Sequence, residues 1–287
     1  MDIDSNNDMD VDVDHDVTIT SSLLPAHMQS ISWVAPPSAA ESSSTGVYDI
    51  CNNWITYSWG KDKPSANIEP FCNRWPPSCT SSRWCAWISV NCGLSPAARN
   101  LGTDEYGARF KRDYKGLEKE FDAITRGGEV KVTPEVIDAL AVKYGVLSGK
   151  WMVYSKSESV DQMWRKIVRL VALDRGYGQA KVSARKVLDD PQYYAKLSIN
   201  SEENLDGGAP APGEDHVICV YVDDYTNKQE VDELRKALRF RAGVFWKIGF
   251  KADVYTRLNI YKGNEWGLRP SRYHDLDYQS GGLGRTH

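Results

Sequence analysis

The sequence lacks the features that would mark a membrane or secreted protein. No apolar run reaches the roughly 18 residues that a membrane-spanning helix requires. The chain opens with acidic residues instead of the basic and apolar segments of a secretory signal. We therefore expect no association with a membrane. We expect the protein in the cytoplasm, with the nucleus as a further location.

The cysteines lack the spacing of a zinc site. Four of the six are separated by six, five and six residues, and no histidine lies among them. These four are Cys72, Cys79, Cys85 and Cys92. Structural zinc sites prefer two to four residues inside each ligand pair. Without export, disulfides are not expected either, so the sequence predicts unpaired thiols, no metal and no cofactor.

Basic residues are missing from residues 1–46, which contain seven Asp and one Glu. Like charges at this density repel one another, so we expect a disordered acidic arm that serves mainly to keep the chain in solution. The whole chain has a net charge of −4, which leaves the remainder at about +4. That balance is compatible with a polyanionic partner.

The rest of the chain predicts one domain over residues 47–273, with a surface insertion at 191–215 and a flexible tail at 274–287. Apolar residues at helical spacing predict helices at 107–126, from Thr133, from Ser159, and from Thr226 or Asn227. Runs rich in β-branched and aromatic residues predict strands at 83–90, 150–154, 180–184, 217–222 and 254–261. The continuous apolar run Val217–Val222 predicts a strand at the centre of its sheet.

Two elements are predicted to carry cations outward. In the helix after Asn227, Val231, Leu234 and Leu238 should point inward, and Arg235, Lys236, Arg239 and Arg241 outward. In the last strand, Tyr255, Arg257 and Tyr261 should share one face. Aromatic and cationic side chains on one sheet face suit sequence-tolerant RNA binding, and a surface ladder under the insertion is the alternative.

Signals for catalysis are weak. Asp223 and Asp224 lie where a strand passes into a helix, so turn and capping roles account for them. His216 precedes a strand, and no nucleophile has a base in view. We predict that the protein is not an enzyme and has no catalytic residues.

Several motifs in order carry a resemblance to a known family. They are Ser148-Gly149-Lys150-Trp151, Asp161-Gln162-Met163-Trp164, Ala180 to Arg185, Val217 to Tyr221 followed by Asn227, Lys228, Glu230 and Val231, and Gly263 to Pro270. Residues from about 80 to 273 resemble the translation initiation factor 4E-like superfamily. More closely, they resemble the uncharacterised family of basophilic leukaemia expressed protein and its fungal relatives.

The resemblance implies an α/β (α+β) fold, with a curved antiparallel sheet and helices on its convex face. In the initiation factor, two Trp on the concave side hold a methylated guanine. Here residues 93–120 and 126–147 contain no Trp, so we expect no cap recognition of that kind. The family's phosphate-binding arginine is matched by Arg185.

Two functional hypotheses follow. The first is binding of RNA or nucleotide phosphates on the concave face, through Lys181, Arg185, Tyr255, Arg257 and Trp266. Lys181 and Arg185 share a strand face, for which a solvated sheet edge is the alternative. Trp266 either closes the end of the sheet or stacks a base. The second hypothesis is a protein-interaction module that has lost its ligand and binds a protein partner on its helical face.

Overall fold

The computed structural model describes residues 34–36, 48–51, 53–58, 68–101, 107, 109–128, 130–186 and 215–275. The predicted arm, insertion and tail lie almost entirely outside these ranges. The strands are β1 (Tyr48–Cys51), β2 (Trp54–Ser58), β3 (Trp87–Asn91), β4 (Gly149–Lys156), β5 (Gln179–Ser183), β6 (Asp215–Val222), β7 (Gly249–Ala252) and β8 (Tyr273–His274). The helices are α1 (Glu69–Arg74), α2 (Pro96–Asn100), α3 (Tyr114–Gly127), α4 (Pro134–Lys143), α5 (Ser157–Arg169), α6 (Lys228–Phe240) and α7 (Asp253–Arg257).

The strands form one open, mixed sheet in the order β1-β2-β3-β5-β6-β4-β7-β8. Among the strands that the structure describes, β2 and β3 run parallel, and the other neighbouring pairs are antiparallel. As predicted, the apolar strand β6 is central, between β5 and β4. The coarse prediction of an α/β protein with a mainly antiparallel sheet is confirmed.

The two longest helices of the second half cover one face of this sheet. In α5, Val160, Trp164 and Ile167 are fully buried, and the helix contacts β4, β5 and β6. In α6, the carbonyl of Val231 accepts a hydrogen bond of 3.1 Å from the Trp151 indole of β4. Alternate residues of a strand point to the same face of the sheet. The side chains of the face under these two helices therefore form part of the core.

Helix boundaries follow the local signals of the sequence. The hydroxyl of Thr133 accepts from Val136 N at the start of α4, with Pro134 in the first turn. Asn227 caps α6 by accepting from Glu230 N. Ser159, however, lies inside α5, which begins at Ser157 and has no side-chain cap. A π-helical turn, Leu170–Arg175, extends α5 and ends at Gly176.

Two predictions for local structure are wrong, and one strand was not predicted. Residues 254–261 are not a strand: they contain the short helix α7 and the turn that follows it. Arg235 does not point outward, because its side chain is 5% exposed and forms an ion pair with Asp275. No strand was predicted around Trp54, and these residues form strand β2 of the main sheet.

The thiols of the described cysteines are unpaired. Cys72, Cys85, Cys92 and Cys219 are buried, Cys79 is half-buried, and none of these five is in a disulfide. Within the described ranges, no three or more His, Cys, Asp or Glu side chains cluster as metal ligands would. The helices in the same ranges are too short or too polar to cross a bilayer.

Candidate functional site on the open sheet face

Helices α5 and α6 cover one face of the sheet. The opposite face, which we call the open face, carries most of the side chains of the candidate site. Strand register places its members side by side: Ser89 is opposite Lys181, Lys181 opposite Cys219, and Lys150 opposite Lys251. The open face consists of Trp54, Thr56, Trp87, Ser89, Lys181, Cys219, Tyr221, Lys150, Met152, Tyr154 and Lys251. It therefore mixes aromatic rings with three lysines.

Two tryptophans and a lysine meet on this face. Trp54 of β2 and Trp87 of β3 are register partners, with ring centroids 5.9 Å apart. The Lys181 ammonium lies 4.6 Å from the Trp54 centroid and 3.9 Å from that of Trp87. Burial lowers the pKa of Lys181, and the nearby Lys150 lowers it further. The rings stabilise a cation in a partly dehydrated position.

The neighbouring lysine, Lys150, is held by acidic and aromatic partners. Its ammonium donates to Asp253 Oδ1 at 2.5 Å, and the hydroxyl of Ser148 donates to Asp253 Oδ2 at 2.6 Å. The Tyr221 ring lies 5.6 Å from the same ammonium. The Cys219 thiol lies between Lys150 and Lys181. Burial raises its pKa to about 11, so this thiol remains protonated at neutral pH.

The third lysine, Lys251, is buried beside an aromatic ring. It is 6% exposed, and its ammonium lies 3.6 Å from the ring centroid of Tyr261. Burial, followed by repulsion from Lys150, lowers the pKa of Lys251 to about 8, against the attraction of Asp253. Among the described residues, no ion pair of Lys251 is found. An anion bound at this end of the face would lower the cost of keeping it charged.

A cavity of about 430 Å³ opens on this face. It is lined by aromatic, cationic and acidic groups, among them Trp54, Tyr221, Lys181, Arg112, Asp223 and Asp253. Its size falls in the range of small-molecule sites, which combine apolar walls with a few converging polar groups. This composition suits a planar ligand that carries negative charge and hydrogen-bond donors.

A second cavity, of about 320 Å³, shares Phe110 and Asp223 with the first. Its lining includes Asp224 and Glu230. Burial, and then repulsion from Asp223, raises the pKa of Glu230 to about 7. Because this end is acidic, a phosphate is favoured at the Lys181 end, and the acidic end suits donor groups.

The aspartates of this region also have structural roles, as predicted. The carboxylate of Asp224 accepts from the backbone N–H of Thr226 at 2.9 Å and from its hydroxyl at 2.6 Å. It is paired with Arg109 through its other oxygen. The carboxylate of Asp223 accepts from Ser95 N at 2.8 Å. These contacts fix the passage from β6 into α6.

Of the five predicted site residues, the structure places only Lys181 at the cavity. Arg185 lies beyond the end of β5, four residues or roughly 13 Å along the strand direction from Lys181. Its guanidinium donates to the carbonyl of Ser78 at 3.3 Å, and its backbone pairs with Thr80 and Ser82. Arg185 is therefore part of a separate corner of the molecule.

The other three predicted residues lie elsewhere. Tyr255 is 1% exposed and belongs to the core. Arg257 forms a 2.7 Å ion pair with Glu118 of α3. Trp266 packs edge-on against Phe121 of helix α3, with ring centroids 4.9 Å apart. Tyr255 and Arg257 would share a face only in the predicted strand 254–261, which does not form.

Sequence reasoning missed Trp54 and Trp87, although a signal was present. In Trp54–Ser58, buried residues alternate with more exposed ones, and Trp54 and Thr56 fall on the exposed side. In Trp87–Asn91 the same spacing places Trp87 and Ser89 together. A period of two in both segments is the pattern of sheet strands with one covered face.

A serine–histidine pair lies elsewhere in the fold and is buried. The Ser157 hydroxyl lies 3.0 Å from His216 Nε2, and His216 Nδ1 lies 2.7 Å from the Ser183 carbonyl. Ser157 is 7% exposed and His216 is 2% exposed. The hydrogen bond to a carbonyl fixes the proton on Nδ1, so Nε2 accepts from the serine. The pair ties the start of α5 to β5 and β6.

One family comparison bears on this region. Residues 115–193 match the family described as Basophilic leukemia-expressed protein Bles03. The matched segment runs from α3 through β5, and so includes Lys150 and Lys181 but neither Trp54 nor Trp87. The match supports the predicted relationship to this family over that part of the chain.

Proposed function

We propose that this chain is a non-catalytic binding protein that holds RNA or a nucleotide on the open face. The observation that carries the proposal is the contact of Lys181 with the rings of Trp54 and Trp87, beside a cavity of about 430 Å³. The proposal includes an initiation factor 4E-like fold, for which the open, mainly antiparallel sheet with helices on one face is the support.

Each part of a nucleotide has a complementary group at the cavity. A base stacks on Trp54, because every base offers a π face to an aromatic side chain. A phosphate is bound by Lys181 and Arg112, which line the same cavity. Donors on the base edge or the ribose are accepted by Asp223. These aromatic contacts differ from those of the initiation factor, because the rings come from strands β2 and β3.

Calorimetric titration with nucleoside monophosphates and triphosphates tests the site. We expect binding by the wild-type chain, tighter for the triphosphate, because charge-assisted contacts strengthen with added phosphate. Trp54→Ala removes a stacking surface worth about 1–3 kcal/mol per base, which corresponds to a loss of affinity of at least fivefold. Lys181→Met keeps the aliphatic stem and removes the charge, so it should weaken the triphosphate more than the monophosphate.

Lys119→Met is the matched control, since Lys119 is exposed on α3, outside the cavity lining. The role of Arg185 is tested by Arg185→Glu with an RNA oligomer. If the wild-type chain binds no nucleotide, or Trp54→Ala binds as well as wild type, the proposal fails. If the chain binds no nucleotide but a protein partner is recovered with it in stoichiometric amount after nuclease treatment, the protein-interaction module is favoured.

A further inference from the structure

Three large aromatic side chains stand exposed between the end of α6 and β7. Phe240 is 73% exposed, Phe245 63% and Trp246 43%. We call these three residues the aromatic patch. Phe245 and Trp246 are neighbours in the chain, five and six residues after Phe240. Exposed large apolar side chains that lie together mark interaction sites, because their exposure to water disfavours the isolated protein.

A buried ion pair holds the backbone of the patch. The Arg235 side chain is 5% exposed and pairs with Asp275, which is 6% exposed. The same guanidinium donates to the carbonyls of Val244 and Trp246, each at 3.0 Å. The Asp275 carboxylate also accepts from Ile248 N at 3.1 Å. The loop therefore presents its rings from a fixed backbone, which reduces the entropy lost on binding.

The exposed charges next to the patch in the sequence are positive. Residues 234–252 contain no Asp or Glu and six basic residues, namely Arg235, Lys236, Arg239, Arg241, Lys247 and Lys251. Lys236, Arg241 and Lys247 are exposed, next to the rings in sequence. Exposed aromatic rings among exposed cations fit a partner with flat apolar faces and a negative backbone. Single-stranded nucleic acid has both.

The loop that carries Phe245 and Trp246 continues in the chain into a strand of the sheet. The loop runs directly into β7, where Gly249 is paired with Met152 and Lys251 with Lys150 of the open face. From β5, which carries Lys181, to β7 is three strand spacings, or roughly 15 Å. An RNA chain whose nucleotide occupies the cavity would have to cross β6, β4 and β7 to reach this loop.

We propose that the aromatic patch binds the bases of single-stranded RNA that extends beyond the nucleotide on the open face, while the surrounding cations contact its phosphates. This inference rests on the proposed function and adds the ligand class: an oligonucleotide, not a free nucleotide. An anionic bilayer also attracts exposed rings and cations. The direct continuation of the loop into β7, whose Lys251 lies on the open face, favours RNA.

The test compares a single nucleotide with an oligomer. Binding of uridine triphosphate is measured by calorimetry, and binding of a fluorescein-labelled oligouridine of about 12 nucleotides by anisotropy. The variant is the triple substitution Phe240→Ser, Phe245→Ser and Trp246→Ser. Leu173→Ser is the control, since Leu173 is 45% exposed and lies outside the patch. Circular dichroism establishes that each variant is folded.

We expect the wild-type chain to bind the oligomer at least tenfold more tightly than the nucleotide. The triple variant should lose at least tenfold in oligomer affinity and keep its nucleotide affinity, while Leu173→Ser matches wild type. Equal oligomer affinity in wild type and triple variant overturns the inference. So does patch-dependent sedimentation with phosphatidylserine vesicles without an effect on the oligomer. Failure of the proposed function is distinct: nucleotide binding is then absent, or unchanged in Trp54→Ala.

Discussion

At the scale of single residues, Lys251 places a charge where the fold stabilises it poorly. Its pKa is lowered to about 8, mainly by burial. Below pH 8 the folded and unfolded chains both carry this proton. The buried charge therefore lowers the free energy of unfolding in that range. The cost disappears as pH rises from 8 toward the ordinary lysine value, because the folded chain releases its proton first.

Lys251→Met should accordingly stabilise the protein. We expect an increase of about 2 kcal/mol in the free energy of unfolding at pH 7, since the methionine fills similar space without a charge. The gain should shrink between pH 8 and pH 10. Urea denaturation across this range provides the measurement, with the exposed Lys119→Met as control. A destabilised variant at pH 7 would show that Lys251 has a favourable partner.

His216 makes the stability of the protein depend on pH in the acidic range, whereas Lys251 does so in the basic range. Burial lowers its pKa, and the charges of Arg185 and Lys186 lower it further, against the Ser183 carbonyl and Asp161. Because the unfolded chain takes up the proton more readily, stability is complete above the ordinary histidine pKa and is lost as pH falls below it. Protonation would also make Nε2 a donor, so it could no longer accept from Ser157.

Chemical denaturation between pH 7.5 and pH 5 tests the role of His216. The wild-type free energy of unfolding should fall with decreasing pH, by at most about 1.4 kcal/mol per pH unit from this one group. His216→Gln keeps a polar side chain and removes the titration. The variant should therefore be less stable than wild type near pH 7.5, with a difference that narrows toward pH 5. A constant difference would contradict this assignment.

At the scale of elements, the end of helix α4 depends on one glycine. Gly145 has a φ of +65°, and a Cβ there would lie 2.5 Å from the backbone oxygen of Lys111. Gly176, after the π-helical turn, has a φ of +67° with nothing within 4 Å of its Cβ position. The two positions share the backbone conformation but differ in the space available.

This pair separates backbone strain from steric contact. Gly176→Ala should cost about 1–2 kcal/mol of unfolding free energy, which is the price of a left-handed conformation for a residue with a Cβ. Gly145→Ala should cost at least 1 kcal/mol more, because the backbone of residue 111 must also move. Both are measured by urea denaturation at one pH. Equal costs would mean that the segment around Lys111 yields freely.

The elements that sequence could predict are those with one unambiguous period. Strand β6 and helix α6 have continuous or regularly spaced apolar residues, and both were placed correctly. The segment from Val254 to Tyr261 fits two periods: Val254 and Leu258 are neighbours on a helix as well as on one side of a strand. Tyr255, buried in α7, decides between them, because a strand would have placed it opposite Val254.

Tertiary contacts account for the predictions that failed. Arg235 lies on the helix face next to Leu234 and Leu238, and sequence gives no sign that Asp275, 40 residues later, enters the core beside it. The candidate site could not be predicted for the same reason. Trp54, Trp87 and Lys181 come from three strands whose adjacency depends on a parallel pairing of β2 with β3, and no local pattern predicts that order.

At the scale of the whole molecule, charge is divided along the chain. Residues 1–32 contain seven Asp and no Lys or Arg, which leaves 32 acidic and 35 basic residues in the remainder. Deleting them therefore changes the net charge from −4 to +3. The described segment at 34–36 would stay in place, where Val34 N donates to the Cys79 carbonyl at 2.9 Å.

Removal of residues 1–32 should increase affinity for the oligouridine, because a more positive protein attracts a polyanion more strongly. The gain should be largest at low salt and fall as ionic strength rises, since screening weakens long-range attraction. Anisotropy titrations at several salt concentrations measure both effects. A full-length variant with the seven Asp changed to Asn is the matched control: it should reproduce the gain. If only the truncated chain binds more tightly, the segment acts through its length and not through its charge.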